Sequence, residues 1–242
     1  MSLRLDKLLS NLGYCTRKEA GKLAKAGLLT DLEGNPIKKA SQKVEPDQVL
    51  LEGEPLDPTT LVLLMHKPSG YTCSHRDRPP LIFELLPPRF AVRDPKLSTV
   101  GRLDKDTTGL ILLTDHGQLL HRLISPSWKV EKVYEVQTSE PVTARQVERL
   151  AEGGWCLPDD DKPLAPAQCR QTGEFALELT LTEGRYHQVK RMLEAVGNPL
   201  LKLHRSRFAH WELDSLQPGG WRHLNNAELE QLFGSCGLDL RN

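Results

Sequence analysis

An aspartate and an arginine stand just before an apolar run in TVGRLDKDTTGLILLT, residues 99–114. Asp104 is followed by Thr107, Thr108 and Gly109, which are small or polar and leave room for a ligand beside the carboxylate. A strand predicted over GLILLT would hold that carboxylate rigidly. Because a lone aspartate near an arginine is more often a structural ion pair, this stretch needs further partners to form a site.

A second polar tract, EGRYHQVKRM, supplies candidate partners. Its polar residues lie off the apolar face of a predicted helix: Arg185, His187, Lys190 and Arg191. The apolar face consists of Val189, Met192, Leu193 and Val196, and Gly197 ends the helix. A carboxylate is a weak nucleophile, and an adjacent cation would keep it ionised when water is excluded. The alternative is an ordinary solvated basic surface.

The remaining pattern predicts strands and helices without a regular βαβ repeat. Apolar or alternating runs predict strands at GLILLT, KVYEVQT and FALELTLTEG. In the last of these, one face would carry Phe175, Leu177, Leu179 and Leu181. The segment QLLHRLISP predicts a helix. We therefore predict an α+β fold, with a largely antiparallel or mixed sheet flanked by helices.

The first part of the chain is predicted to form two short helices with a basic surface. Leucines at positions 5, 8, 9 and 12 have helical spacing and predict a first helix over residues 3–11. Thr16 and Glu19 form a capping box for the second helix. The basic residues of this part include Arg4, Arg17, Lys18 and Lys22. They form either a solvated face or an RNA-binding one. The segment LDPTT, residues 56–60, reads as a linker, which predicts domains at residues 1–58 and 61–242.

Composition excludes several classes of protein. The five cysteines are scattered and the eight histidines lack HxxxH spacing, so we expect no disulfide framework and no metal. No apolar run approaches the roughly 20 residues of a membrane span, and MSLRLDKLL is too charged for a signal peptide. We expect a cytoplasmic protein with no membrane partner. The net charge of zero argues against nucleic acid unless the charges are unevenly distributed, as they are here.

Four motifs occur in order along the chain: HKPSG, VGRLDKDTTGLILLT, EKVYEV and EGRYHQVKRM. Together they resemble the pseudouridine synthases of the RsuA type. The segment RLDKLLSNLGYCTRKEAGKLAKAGLL with KVEPDQVLLEGEPL resembles the S4-like RNA-binding module that precedes the catalytic domain in that family. The resemblance implies isomerisation of uridine to pseudouridine in ribosomal RNA, without a cofactor or metal.

The resemblance also implies roles for single residues. Asp104 matches the nucleophile, and Tyr134 matches the aromatic residue that stacks on the target base. Lys190 matches the cation that pairs with the aspartate, with Arg191 as its neighbour. Arg102 matches the arginine that helps fill the space left by the extruded base. The remaining RNA-binding candidates are Arg185 in the second tract and the basic residues of the N-terminal unit, Arg4, Arg17, Lys18 and Lys22. The turn with Lys67, Pro68 and Gly70 is expected to be structural.

Two other functions compete with this interpretation. A non-catalytic RNA-binding or ribosome-assembly protein would be expected to have lost the catalytic set, which is present here. A hydrolase would use Asp104 with Asp106, but we expect these two side chains to point to opposite faces of the chain, which would make them a poor pair.

Within the enzyme interpretation, we favour 16S over 23S ribosomal RNA as substrate, either free or in a subunit assembly intermediate. A monomer is the default expectation. The acidic loop at residues 159–161 is expected to face away from RNA because carboxylates repel phosphates.

Overall fold

The computed structural model describes residues 2–240. Met1, the first residue of the first predicted domain, and Arg241 and Asn242, the last two residues of the second, lie outside the described residues. The helices in this range are α1 Leu5–Asn11, α2 Arg17–Lys25, α3 Pro88–Ala91, α4 Gly117–Ile124, α5 Ala144–Glu152, α6 Gln188–Ala195 and α7 Asn226–Ser235. Short 3₁₀ turns occupy Pro46–Gln48, Ile82–Leu85 and Pro126–Trp128. None of the helices in residues 2–240 has the length and apolar character needed to cross a membrane.

The strands fall into two small N-terminal sheets and one large sheet. The small sheets contain β1 Leu3–Arg4, β2 Leu29–Asp31, β3 Lys43–Val44, β4 Val49–Leu51 and β5 Glu54–Pro55. The large sheet contains β6 Val62–Lys67, β7 Ser98–Thr99, β8 Thr108–Thr114, β9 Lys132–Thr138, β10 Gln168–Gly173, β11 Ala176–Leu181, β12 Leu200–Phe208, β13 Trp211–Glu212 and β14 Trp221–His223.

The N-terminal unit packs its own core beneath the two predicted helices. Leu5, Leu8 and Leu9 are buried at the predicted spacing, and the capping box of Thr16 and Glu19 is present. Helix α1 begins at Leu5 rather than at residue 3, because Leu3–Arg4 pairs with Lys43–Val44 as a short strand. The side chains on this surface therefore stand on two short, well-capped helices.

The large sheet is mixed, which confirms the predicted α+β class. Its main order is β10-β11-β9-β12-β8-β6-β14. The pairing of β12 with β8 is parallel, whereas the other pairings in this sheet are antiparallel. This places β8 and β9 on either side of β12.

Strand β8 is buried on both faces, which explains its unbroken apolar run. Leu110 and Leu112 pack into a core with α4 and α7, whereas Ile111 and Leu113 pack into a second core on the opposite face. A strand fixed from both sides is a rigid support for the polar turn that precedes it.

One strand prediction was partly wrong. Leu177, Leu179 and Leu181 are buried on one face of β11 as predicted, but Phe175 is 44% exposed. Phe175 lies in the tight turn between β10 and β11, before the alternation begins. Turn residues do not obey the alternation of the strand that follows them.

The segment predicted as a linker contacts residues on both sides of it in the chain. Asp57 forms an ion pair with Arg89 at 2.6 Å, and its backbone N–H donates to the hydroxyl of Tyr14 at 2.9 Å. The N–H of Asp94 also donates to the carbonyl of Asn11 at 2.9 Å. These contacts join the N-terminal unit to the α3 region of the larger one.

Candidate active site

Asp104, Tyr134 and Lys190 line one cavity of about 340 Å³. Its walls come from the turn before β8, the end of α4, strands β9 and β12, and the N-terminal end of α6. The volume lies in the range of small-molecule pockets, which run from about 300 to 1,000 Å³. Asp104 and Lys190, which are 86 positions apart in the chain, are thus brought to one opening.

Lys190 stands between two carboxylates. Its Nζ lies 3.2 Å from Oδ2 of Asp104 and donates to Oδ1 of Asp106 at 2.8 Å. His187 approaches Asp104 from the other oxygen, with Nε2 at 3.4 Å from Oδ1. The side chain of Asp104 is 27% exposed and that of Asp106 is 72% exposed. Asp104 is therefore the carboxylate held inside the cavity, and Asp106 faces solvent.

The expectation that Asp104 and Asp106 point to opposite faces is wrong. The chain turns at this point, with the N–H of Thr107 donating to the carbonyl of Asp104 at 3.1 Å. Residues two apart share a face even on an extended strand, and here the turn brings both carboxylates to the ammonium of Lys190.

The charges around Lys190 stabilise its protonated form. Burial alone would lower its pKa, but the contacts with Asp106 and Asp104 outweigh burial and raise it. Lys190 in turn lowers the pKa of Asp106 through their hydrogen bond. The protonated ammonium of Lys190 thus places positive charge 3.2 Å from the carboxylate of Asp104.

A buried lysine holds the turn that carries both aspartates. Lys67, at the end of β6, is fully buried and donates to the carbonyls of Thr107 at 2.7 Å, Pro68 at 3.0 Å and Lys105 at 3.3 Å. Burial is the main cause of the lowered pKa of Lys67. The sequence predicts a supporting role for the HKPSG turn. In the structure, Lys67 makes two hydrogen bonds to the backbone of the turn that carries the aspartates and one to its own neighbour Pro68.

The sheet supplies one wall of the cavity. Lys132 and Tyr134 are two apart on β9 and therefore share a face. Arg205 on β12 lies directly opposite Tyr134 in the antiparallel register. On its other side Arg205 pairs with Gly109 of β8, where an added Cβ would lie 2.3 Å from the Arg205 carbonyl. Glycine at position 109 thus allows the close approach of β12.

Aromatic and basic groups surround the cavity's opening. Tyr186 is 75% exposed and stacks on His187 with ring centroids 3.8 Å apart. Arg102 also lines the cavity and is exposed, with Nη2 3.5 Å from Asp77. These groups offer a flat aromatic face and an exposed cation to a ligand.

Arg185 and Arg191 have partners within the chain. Asp160 lies 3.4 Å from Arg185 and 3.2 Å from Arg191. Arg185 lines the cavity, whereas Arg191 turns away to the carbonyls of Pro158 and Tyr186. The acidic loop at residues 159–161, which is expected to face away from RNA, therefore contacts two of the RNA-binding candidates through Asp160.

The four N-terminal basic candidates all lie at the surface. Arg17, Lys18 and Lys22 are exposed on α2 or its start, and Arg4 pairs with Asp6 at 2.7 Å. They do not line the cavity. Any contact they make with RNA would be made outside it.

Sequence reasoning missed two residues of the cavity wall, Lys132 and Arg205. It named His187 but did not predict the contact of His187 with Asp104. Lys132 was within reach of sequence reasoning, because it stands two residues before Tyr134 on an alternating strand. Arg205 carried no such signal, since its position depends on the register of β12.

The arrangement suits chemistry by a carboxylate on a flat, polar ring. Asp104 is held by two neighbours capable of carrying positive charge, and Tyr134 offers an aromatic surface in the same cavity. Within residues 2–240, no group of three or more histidine, cysteine or acidic side chains is placed to hold a metal ion.

Comparisons with known proteins point to one family. The family model described as RNA pseudouridylate synthase matches residues 61–195, and the S4 domain model matches residues 3–50. The chain is 40% identical to ribosomal small subunit pseudouridine synthase A of Pasteurella multocida over 232 residues, covering 94% of this chain and 98% of the relative. It is 39% identical to the protein of the same name from Vibrio vulnificus, covering 96% and 100%.

A solved structure described as a pseudouridylate synthase superimposes with a TM-score of 0.67 at 35% identity, covering 96% of this chain and all of the other. The family model spans more than half of the chain, and the curated relatives align over nearly all of it. The chain therefore belongs to the RNA pseudouridylate synthase family, as a pseudouridine synthase with an N-terminal S4 domain.

Proposed function

We propose that this enzyme converts a specific uridine of 16S ribosomal RNA to pseudouridine, with Asp104 as the carboxylate that acts on the target nucleotide. The observation that carries the proposal is the placement of Asp104 inside the cavity between Lys190 and His187, with Tyr134 in the same cavity. The names of the two relatives at about 40% identity support the small-subunit substrate. The 23S ribosomal RNA is the alternative substrate.

The proposed reaction requires the uridine to leave its helix. Extruding a base costs a few kcal/mol of stacking and pairing. Stacking on Tyr134 would return about 1 to 3 kcal/mol. Arg102, exposed at the cavity's opening, would enter the space that the base has left. Lys190 would hold its ammonium beside the carboxylate of Asp104 and fix its position toward the nucleotide.

The proposed RNA contacts extend from the cavity to the N-terminal unit. Arg4, Arg17, Lys18 and Lys22 would bind phosphates, which requires positive charge but no fixed geometry. Arg185 and Arg191 would do so after exchanging Asp160 for a phosphate. We propose the division at residues 1–58 and 61–242, supported by a hydrophobic core that lies wholly within the first of them.

We also propose that the protein acts in the cytoplasm as a monomer, on ribosomal RNA or a small-subunit assembly intermediate.

The test follows tritium released from carbon 5 of uracil in separately labelled 16S and 23S transcripts. We expect release from 16S RNA by the wild type and none by Asp104→Asn. Asp106→Asn is the matched control, since Asp106 touches the same ammonium but does not line the cavity, and it should retain most of the activity. Release from 23S RNA alone would overturn the substrate. No release from either RNA or from ribosomal particles, with RNA still bound, would favour a binding protein.

A further inference from the structure

Two cations in the cavity wall lack a carboxylate partner within residues 2–240. The ammonium of Lys132 donates to the carbonyl of Val130 at 2.7 Å. Arg205 is 2% exposed; its Nε donates to the carbonyl of Leu110 at 2.7 Å, whereas its buried Nη2 has no hydrogen-bond partner among the described residues. Buried charges are normally paired, because removing an ion from water costs several kcal/mol. Neither the buried Arg205 nor the partly buried Lys132 has an anionic partner among residues 2–240.

The sheet places both cations beside the residues proposed to act on the base. Lys132 shares a face of β9 with Tyr134, and Arg205 lies directly across from Tyr134 on β12. Lys132, Arg205 and Asp104 all line the same cavity. A ring stacked on Tyr134 would therefore have these cations close to its edge.

The nearby acid is already engaged. Glu183 lines the cavity, but its carboxylate pairs with Arg185 at 3.1 Å and accepts from Gln188 at 2.8 Å. Burial, followed by the charge of Arg205, lowers the pKa of Lys132 to about 8, with Glu183 opposing the shift. Lys132 thus stays mostly protonated at neutral pH, next to a second positive charge.

We propose that Lys132 and Arg205 bind the negative charge that uracil acquires when its glycosidic bond breaks. The proposal rests on the proposed function, because it assumes that a uridine enters this cavity. It assigns these residues to the leaving base, whereas Asp104 and Lys190 form the group that acts on the nucleotide.

The charge balance of the reaction defines what the cations must do. The bond between N1 of uracil and C1′ of ribose breaks, and its electron pair moves to uracil, where O2 and O4 share it. The ring then bonds to C1′ through C5; the C5 proton leaves and N1 ends protonated. No atom or electron is gained overall. The negative charge exists only between these steps, so cations placed for it stabilise the transition state more than the bound substrate.

The test is single-turnover isomerisation by Lys132→Met, which keeps an unbranched side chain one atom shorter and removes its charge. We expect a loss of about 100- to 1,000-fold in the rate constant, as for removal of one preorganised donor, with little change in RNA affinity. The melting temperature should stay equal or rise, because an unpaired buried charge is removed. Lys132→Arg should recover part of the rate. Lys129→Met, at an exposed site three residues earlier, should match the wild type.

A second arm changes the leaving base. RNA with 5-fluorouridine at the target site carries a base whose anion is more stable, so Lys132→Met should lose less rate relative to wild type on this RNA. The readout is loss of the 5-fluorouridine nucleoside after nuclease digestion. This base has fluorine and no proton at C5, so its C5-linked product keeps the fluorine and takes up water across N1 and C6 instead of losing a C5 proton. The comparison uses whichever ribosomal RNA the wild type isomerises, so a failure of the 16S assignment leaves this test intact.

Three results would overturn the proposal. Weaker RNA binding with an unchanged rate constant would assign Lys132 to a backbone phosphate. Parallel losses of rate and melting temperature would assign it to the fold. An equal loss on uridine and 5-fluorouridine would separate it from the leaving base.

Discussion

Strand β8 has an aspartate with a basic partner near each end, and the two ends differ in what surrounds them. Asp115 follows the strand and is almost sealed, with its side chain 3% exposed and that of Arg93 1% exposed. Asp104 precedes the strand, is 27% exposed, and faces a cavity. The same pair of residue types therefore serves two purposes, and the surrounding space distinguishes them.

The hydrogen bonds of the two aspartates show the difference directly. Asp115 accepts from the backbone of Leu61 at 2.7 Å and from two nitrogens of Arg93 at 2.9 and 2.7 Å. Asp104 has contacts of 3.2 and 3.4 Å with Lys190 and His187. A saturated carboxylate has no capacity left for a substrate, whereas a loosely held one can react.

The largest effect on stability is expected at the sealed end. Arg93→Ala would leave Asp115 buried without its cation, which typically costs about 3 to 5 kcal/mol. Urea unfolding should detect this loss, while the rate per folded molecule should stay within about twofold of wild type. A strong loss of rate in molecules shown to be folded would contradict the division between the two ends.

At the open end, the next effect is expected from the support beneath the turn. Lys67→Met would remove the donors to the carbonyls of Thr107 and Lys105, and we expect a loss of about 10- to 100-fold in rate as Asp104 shifts from its position. Single-turnover tritium release at a temperature well below unfolding measures it. An unchanged rate would show that the turn holds its shape without Lys67.

A smaller effect on stability is expected from Lys132, and it depends on pH. Its folded-state pKa is about 8, below the usual value, because of burial and the charge of Arg205, with Glu183 opposing. The unfolded chain therefore binds more protons, so the charged form destabilises the fold below about pH 8 and this penalty disappears toward about pH 10.5.

Lys132→Met should accordingly be about 1 to 2 kcal/mol more stable than wild type at pH 7, allowing for solvent screening, and the advantage should vanish near about pH 10.5. Urea unfolding at a series of pH values measures it. A constant advantage at all pH values would show that charge is not its origin.

The smallest effects are expected for exposed basic residues of α2. Replacing Lys18 or Lys22 by Gln should weaken RNA binding modestly and reduce the slope of log affinity against log salt by about one per lost phosphate contact. Filter binding at several salt concentrations measures the slope, and the isomerisation rate at saturating RNA should not change. Lys129→Gln serves as the control.

The elements that hold the site could be predicted from local patterns. The apolar run of β8, the alternation of β9 and the spacing of α6 each follow from side chains on one segment. These local patterns and the four motifs were enough to predict the fold class and the family, and both predictions are confirmed. The prediction that Phe175 lies on the buried face was wrong because Phe175 stands in a hairpin turn, before the alternation of β11 begins.

The missing parts of the site depend on contacts between distant segments. Whether Asp106 meets Lys190 depends on a turn of the backbone, and whether Arg205 faces Tyr134 depends on strand register. Asp160 binds Arg185 and Arg191 only because a loop folds back on α6. Such contacts leave no periodic signal in one sequence.

The most direct test of the account compares Asp104→Asn with Asp115→Asn, measuring tritium release in single turnover and urea unfolding for both proteins. The account predicts that Asp104→Asn loses more than about 1,000-fold in rate with its unfolding free energy nearly unchanged. It predicts the opposite for Asp115→Asn: a clear loss of stability and a normal rate per folded molecule. An active Asp104→Asn protein would contradict the central claim.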